Sequence, residues 1–312
     1  TEIYTSASIG VALGRAGDTT EALLSDADAA MYLAKERGRG RVELFLPDLR
    51  AKAETRLAAE AALRAAVERE EFALVFQPVV DLETGFVNGA EALVRWRPPG
   101  KEIVGPGEFI ALAEETGLIV PIGAWVLGEA CAQLRQWKDA FPRMPLAVSV
   151  NISARQLTPD LLDMITKILA LNSLDASALT LEITESVLMR DTDGALESLL
   201  GLKALGVRLA IDDFGTGYSS LSYLKRFPID ILKVDRAFVS GLGADNDDTA
   251  IIAGILAMAR GLRVDVVAEG AETADQVRVL RVLDCPYAQG FHFARPLSGT
   301  EFERLLGEGR RW

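Results

Sequence analysis

Asn151 follows the apolar run LAVSV, Glu182 lies in LTLEIT, Asp212 and Asp213 follow VRLAI, and Glu269 follows VDVVA. Each acid or amide stands at the end of a Val, Ile and Leu run that reads as a strand, and strands sharing a barrel direct such ends at one place. Two carboxylates about 4 Å apart repel by roughly 4 kcal/mol at an effective dielectric near 20, so a convergent group requires a cation or a bound proton. The donors are all oxygen, with Glu91 in GAEALVRW a further candidate. Such a set suits magnesium or manganese better than zinc.

Other residues refine that chemistry. Lys233 interrupts the apolar run of ILKVD; among carboxylates it can hold a water or offset developing phosphate charge, and the competing reading is a salt bridge to a neighbouring acid. Glu182 and Glu185 in LEITE fall on opposite faces of a continuing strand, so both enter one site only if the strand ends between them. Gly215 and Gly217 in DDFGTGYSS permit a loop that moves over the site. The loop has no Gly-Lys-Ser/Thr and is not a Walker phosphate loop. The tract from Asp245 to Asp248 precedes a helical pattern and reads as a solvated cap. His292 is the only histidine, which argues against His-rich metallohydrolases and Ser-His-Asp catalysis and leaves water as the available nucleophile.

These residues must be positioned by alternating elements. From residue 73 the strand patterns ALVFQPVV, VNGAEALVRW, LAVSVNIS, LTLEIT, VRLAIDD, ILKVD, VDVVAEG and YAQGFHF are mostly separated by helical ones: GEFIALAEETG, AWVLGEACAQLRQWKDAF, LLDMITKILAL, ALESLLGLKALG, TAIIAGILAMARG and ADQVRVLRVL. The count and length predict an α/β fold, a (β/α)8 TIM-type barrel, with an open doubly wound sheet as the alternative. DLETGF is too short for a helical crossover, so the first strand is expected antiparallel to the second. Residues 1–48 read as an N-terminal α+β fragment too small to bury its own core, with strands in SASIGVAL and VELFL around the helix EALLSDADAAMYLAKERG. Residues 49–312 form the main domain. It opens with a connecting helix, RAKAETRLAAEAALRAAVERE, whose Leu57, Ala61, Leu63 and Ala66 are expected near one face.

The chain has 312 residues, 49% of them hydrophobic, and a formal net charge of -12. That supports a sizeable core and disfavours binding of long nucleic acid. Cys131 and Cys285 lack CxxC spacing and read as buried free thiols. No run reaches the ~20 apolar residues of a membrane span, so a cytoplasmic protein is expected. The sequence begins at Thr1 inside a strand-like run, as a chain would whose first domain starts further upstream, where a sensor or membrane anchor has room.

Glu91-Ala92-Leu93 within EALVRW, then SVNIS, LEITES, DDFGTGYSSLSYL, LKVDRAFV, VAEGAE and QGFHFARPL, resemble in order the motifs of the EAL family of cyclic di-GMP phosphodiesterases, from about residue 55 to the carboxyl terminus. Ala271 replaces the more usual Val of VAEGVE. The resemblance implies that Glu91, Asn151, Glu182 and Asp212 bind one Mg2+ or Mn2+ ion and that Asp213 helps bind a second, with Ca2+ inhibitory. It also implies that Lys233 and Glu269 hold or deprotonate the attacking water and that Glu185 fixes the DDFGTGYSS loop. Gln77, Leu93 and Arg95 are implied substrate contacts, together with Glu272 and Gln289. The implied reaction is metal-dependent hydrolysis of cyclic di-GMP to linear pGpG, by in-line attack of a water on phosphorus. A homodimer with its contact near the DDFGTGYSS loop is implied too. The rival readings are a cyclic di-GMP receptor that does not cleave its ligand and a barrel phosphohydrolase with another substrate. ASIGVAL and DADAAMYLAKERGRGR resemble the carboxyl half of a GGDEF diguanylate cyclase domain, with Lys35 and Arg39 at its phosphate-contacting positions. The GGDEF turn itself is absent from this chain, which implies no cyclase activity here.

Overall fold

A computed structural model of the chain describes residues 6–14, 17–45, 47–185, 192–215, 227–243 and 246–312. It divides into two units, Thr1–Glu68 and Arg69–Trp312. In the first, β1 (Ile9–Val11) and β2 (Val42–Leu44) pair in parallel across α1 (Thr20–Glu36). Parallel pairing of near neighbours demands such a crossover. Thr19 caps α1 by accepting from the Ala22 amide at 3.2 Å. The helix lies so close to the strand that a Cβ on Gly10 would collide with the Ala27 carbonyl oxygen. In α2 (Pro47–Glu68), among the described side chains, Leu63 and Ala66 are buried, while Leu57 is 68% exposed. The face expected from the sequence is thus wrong at Leu57 and Ala61: with 3.6 residues per turn, Leu57 stands roughly 240° around the axis from Leu63.

The second unit is the barrel. Its strands are β3 (Phe72–Asp81), β4 (Val87–Trp96), β5 (Ala147–Asn151), β6 (Leu179–Thr184), β7 (Arg208–Phe214), β8 (Ile231–Val234), β9 (Asp265–Ala268) and β10 (Tyr287–Ala288). They close in the order β10-β3-β4-β5-β6-β7-β8-β9, which removes the open-sheet alternative. Every neighbour pair is parallel except those made by β3, which runs antiparallel to both β4 and β10. The cause is the short β3–β4 turn, in which Asp81 Oδ1 accepts from the amides of Glu83 (3.0 Å) and Thr84 (2.7 Å) and Gly85 adopts φ 77°.

Outer helices follow the sequence closely. α3 (Pro106–Thr116) and α5 (Pro159–Leu171) start on proline, whose missing N–H is of no consequence there. α4 spans Ile119–Ala140 and begins five residues before the AWVLGE pattern, because Pro121 falls in the first turn, where amides have no intrahelical acceptor. α6 (Thr192–Leu205), α7 (Arg236–Ser240) and α8 (Asn246–Leu262) follow. α9 (Ala274–Val282) and α10 (Gly299–Gly307) are closed by capping boxes, Thr273 with Gln276 and Ser298 with Glu301. β10 is shorter than the YAQGFHF pattern because the chain crosses the Ala271 backbone at Gly290, where any Cβ would collide. Asp245 lies outside the described residues, while Asp247 and Asp248 occupy the first turn of α8 as expected of a cap. Among the described residues, no helix is long and apolar enough to cross a membrane. Cys131 and Cys285 are free and buried.

The layer between α4, α10 and the barrel centres on Trp137, which is 1% exposed, stacks on Phe302 at 4.4 Å and meets Phe76 edge-on at 4.8 Å. Trp137→Ala is expected to destabilise the barrel by about 3–5 kcal/mol in urea unfolding, the range for emptying a buried aromatic site. A loss under 1 kcal/mol would show that this layer does not anchor the fold.

Candidate active site

Strand register gathers the polar residues. Gln77 pairs with Glu91, Asn151 with Glu182, Thr184 with Asp212 and Lys233 with Val267. Directly paired residues share a face, and alternation then places Glu91, Leu93 and Arg95 along one side of β4. β6 ends at Thr184, between Glu182 and Glu185, as a shared site requires.

At the carboxyl ends of the strands the Lys233 ammonium is ringed by carboxylates. Its Nζ lies 2.6 Å from Glu182 Oε2, 2.7 Å from Glu269 Oε1, 3.1 Å from Asp212 Oδ1 and 3.3 Å from Glu91 Oε2. Lys233 is 2% exposed, Glu182 3% and Glu91 5%. Asn151 Nδ2 and Gln289 Nε2 both donate to Glu91, at 2.8 and 2.5 Å. Because the Asn151 Nδ2 is committed to Glu91, its amide oxygen is the atom left for another partner.

The electrostatics follow from burial and crowding. Burial opposes ionisation of Glu91, but the Lys233 charge and the hydrogen bonds from Gln289 and Asn151 outweigh it and hold its pKa below the ordinary range. Glu182 is pushed well up by burial and by the charges of Glu91 and Asp212. Glu269 is raised to about 8, first by burial, then by Asp212 and Glu91, against the pull of Lys233. Burial disfavours the Lys233 ammonium, yet Glu182, Glu269, Glu91 and Asp212 together drive its pKa well up. The cluster therefore keeps protons that a cation would displace.

Asp213, Asp212 and Glu269 present carboxylate oxygens within 4.8 Å of one another. Asp213 holds φ 55°, a left-handed conformation uncommon for a side-chain-bearing residue. Its pKa is raised by partial burial, then by Asp212 and Asp235, to which it is also hydrogen-bonded. An all-oxygen donor set with surplus negative charge fits a hard divalent cation. The Gly215 amide donates to Glu185 Oε2 at a long 3.4 Å, and a Cβ on Gly215 would stand 2.7 Å from Phe238. Gly217 and the rest of the DDFGTGYSS loop lie outside the described residues. Gln77 is buried beside Glu91, and Leu93 and half-buried Arg95 stand further along β4. Glu272 is not drawn into the cage: its side chain is half exposed and its carboxylate lies 4.0 Å from Arg236.

The sequence reading missed two features. Asp235 follows ILKV and obeys the strand-end rule that identified the other acids. A groove of about 330 Å³ runs beside Asn151, walled by Leu93, Ile110, Ile122 and Val126 and carrying Glu114, which accepts from Ser153 Oγ at 2.6 Å. Its polar members come from separate elements, so no local pattern marks them.

A closed barrel with one reversed strand and an acidic, cation-seeking face at its strand ends is a specific class of α/β barrel. The chain belongs to the EAL domain family, which matches residues 60–296. It is 46% identical over 302 residues to the bifunctional diguanylate cyclase/cyclic di-GMP phosphodiesterase MucR of Pseudomonas aeruginosa, covering 96% of this chain and 44% of MucR. It is 38% identical over 305 residues to the cyclic di-GMP phosphodiesterase PdeR of Escherichia coli, covering 97% of this chain and 46% of PdeR. The chain thus spans less than half the length of these relatives. Among solved structures, the PaMucR phosphodiesterase in complex with c-di-GMP aligns with TM-score 0.74 at 46% identity, over 78% of this chain and 99% of that one. The FimX EAL domain of Xanthomonas citri, in complex with c-diGMP, aligns with TM-score 0.73 at 26% identity, over 80% and 97%.

With Glu269 titrating at about 8, a divalent cation binding near pH 7 must release protons. Calorimetry of Mg2+ binding at pH 7 in buffers of different ionisation enthalpy is expected to show net proton release, the share from Glu269 fading as pH rises past 8. Heats independent of the buffer would contradict these protonation states.

Proposed function

We propose that this chain hydrolyses cyclic di-GMP to linear pGpG, using Mg2+ or Mn2+. The observation that carries the reading is the Lys233 cage, in which Glu91, Glu182, Asp212 and Glu269 all lie within 3.3 Å of one ammonium. A non-hydrolysing receptor has no use for so many mutually repelling buried acids, so their retention favours the enzyme. Glu91, Asn151, Glu182 and Asp212 would hold one cation and Asp213 would help hold a second. A divalent ion so held supplies Lewis-acid neutralisation of the phosphoryl oxygens and makes water a better nucleophile.

The chain's own residues do the rest. Lys233 and Glu269 orient the attacking water, and Glu269, with a pKa near neutrality, takes its proton. Glu185 fixes the start of the DDFGTGYSS loop through the Gly215 amide. Gln77, Leu93, Arg95, Glu272 and Gln289 are assigned to substrate, with the Arg95 guanidinium as the charge that meets phosphate. The groove beside Asn151 suits one guanine: its apolar walls accept a flat ring, and the Glu114 carboxylate is an acceptor for the base's N–H groups. A homodimer joined near the DDFGTGYSS loop and a GGDEF half-domain at residues 1–48, followed by the EAL domain at 49–312, complete the assignment. The free thiols of Cys131 and Cys285 suit a reducing cytoplasm.

The test is incubation with cyclic di-GMP and Mg2+, with and without chelator, followed by product chromatography. Linear pGpG is expected only with metal; full turnover in excess chelator would sink the metal assignment, and binding without cleavage under any cation would favour the receptor. Ca2+ is expected to inhibit, because its longer and looser coordination misplaces the water. At saturating Mg2+, Glu269→Gln is expected to cut kcat by at least ~10²-fold with little change in substrate affinity. Asp212→Asn should instead weaken metal binding and so impair both. Unchanged turnover in Glu269→Gln would remove Glu269 from its role.

A further inference from the structure

Beneath the Lys233 cage the barrel interior is incompletely filled. Barrels of this kind are ordinarily packed by layers of branched side chains. Here a cavity of about 40 Å³, open to the centres of water molecules, runs from Glu182, Lys233 and Gln289 down to Asn88 and Arg208. On one side Val79, Ala210, Ile231, Val267 and Tyr287 pack together. On the other side β4 and β5 contribute the small residues Gly89, Ala90, Ala147 and Ser149, together with Asn88. A side chain at position 89 is sterically blocked, since a Cβ there would stand 2.7 Å from the Ala147 carbonyl oxygen. The void is therefore built into the β4–β5 pairing.

This void is polar where it meets the cage. Ser149 and Thr180 line it, on paired positions of β5 and β6. Gln289 is 5% exposed, its Nε2 donates to Glu91, and its Oε1 is buried without a hydrogen-bond partner. An orphan amide oxygen beside a polar void is the setting in which proteins hold internal water, and each water needs roughly 10–15 Å³ of such space.

We propose that the cavity holds ordered water that donates to Gln289 Oε1 and is itself held by the hydroxyls of Thr180 and Ser149, making these two residues positioning residues for Glu91. The logic is one of orientation. If the Gln289 amide turned over, its oxygen would face the Glu91 carboxylate, acceptor against acceptor; a water bound to Oε1 keeps Nε2 on Glu91. Removing the water therefore loosens Glu91, an effect on metal binding that rests on the proposed role of Glu91 as a metal ligand.

Two measurements test this. A crystal structure of the full chain at high resolution is expected to show water in the cavity within hydrogen-bonding distance of Gln289 Oε1; a dry cavity, or one refilled by rearranged side chains, overturns the proposal. Mg2+ affinity measured by calorimetry without substrate is expected to fall about tenfold in Thr180→Val, which keeps the shape and loses the hydroxyl, and to be restored in Thr180→Ser. Parent-like affinity in Thr180→Val overturns the positioning role. If the parent itself bound no Mg2+ while the crystal showed the water, the metal reading would fail and the water site would stand.

Discussion

One buried ammonium with Glu182, Glu269, Asp212 and Glu91 within 3.3 Å is the constraint on which the rest of the barrel depends. A single positive charge cannot balance four ionised carboxylates, so the cluster settles by retaining protons: Glu182 and Glu269 are pushed up while Glu91, served by two amide donors, stays ionised. Lys233 in turn is kept charged in a place where burial alone would neutralise it. Acids and lysine thus hold one another in states that none would adopt alone, and a divalent cation is the species best able to replace the retained protons.

Such crowding persists because the strands leave the side chains no retreat. β5 and β6 place Asn151 and Glu182 side by side, β6 and β7 place Thr184 beside Asp212, and the reversed β3 sets Gln77 opposite Glu91. Closure of the barrel fixes the distance between segments that are far apart in sequence, such as β4 and the chain leaving β10, where Glu91 meets Gln289. Packing outside the barrel, around Trp137, is the reservoir of stability against which the repulsion is set.

Much of this was legible in the sequence, for physical reasons. Parallel strands buried on both faces must be continuous apolar runs, so a polar residue closing such a run stands out, as Asn151, Glu182, Asp212 and Glu269 do. Lys233 stood out in the same way, and the structure shows the salt-bridge reading of it, with four carboxylates around its ammonium. What was lost depended on tertiary context. The start of α4 was masked by Pro121, the end of β10 is set by contact with Ala271, and Leu57 is apolar yet exposed. Asp235 carried the strand-end signal and was overlooked; Glu114 and Ser153 carried none, because their meeting depends on how α3 packs beside the strand ends. Glu272, assigned through a motif, stands half exposed with its carboxylate 4.0 Å from Arg236.

The most direct test of this account is the thermal stability of the metal-free chain as Mg2+ is titrated at constant ionic strength near pH 7. If the cage is a cation site whose repulsion the bound ion relieves, Tm rises in a saturable way, reverses with chelator, and rises far less in Asp212→Asn. A Tm indifferent to Mg2+ and Mn2+, or one that responds equally in Asp212→Asn, would mean that Lys233 alone balances the carboxylates and that the central claim is wrong.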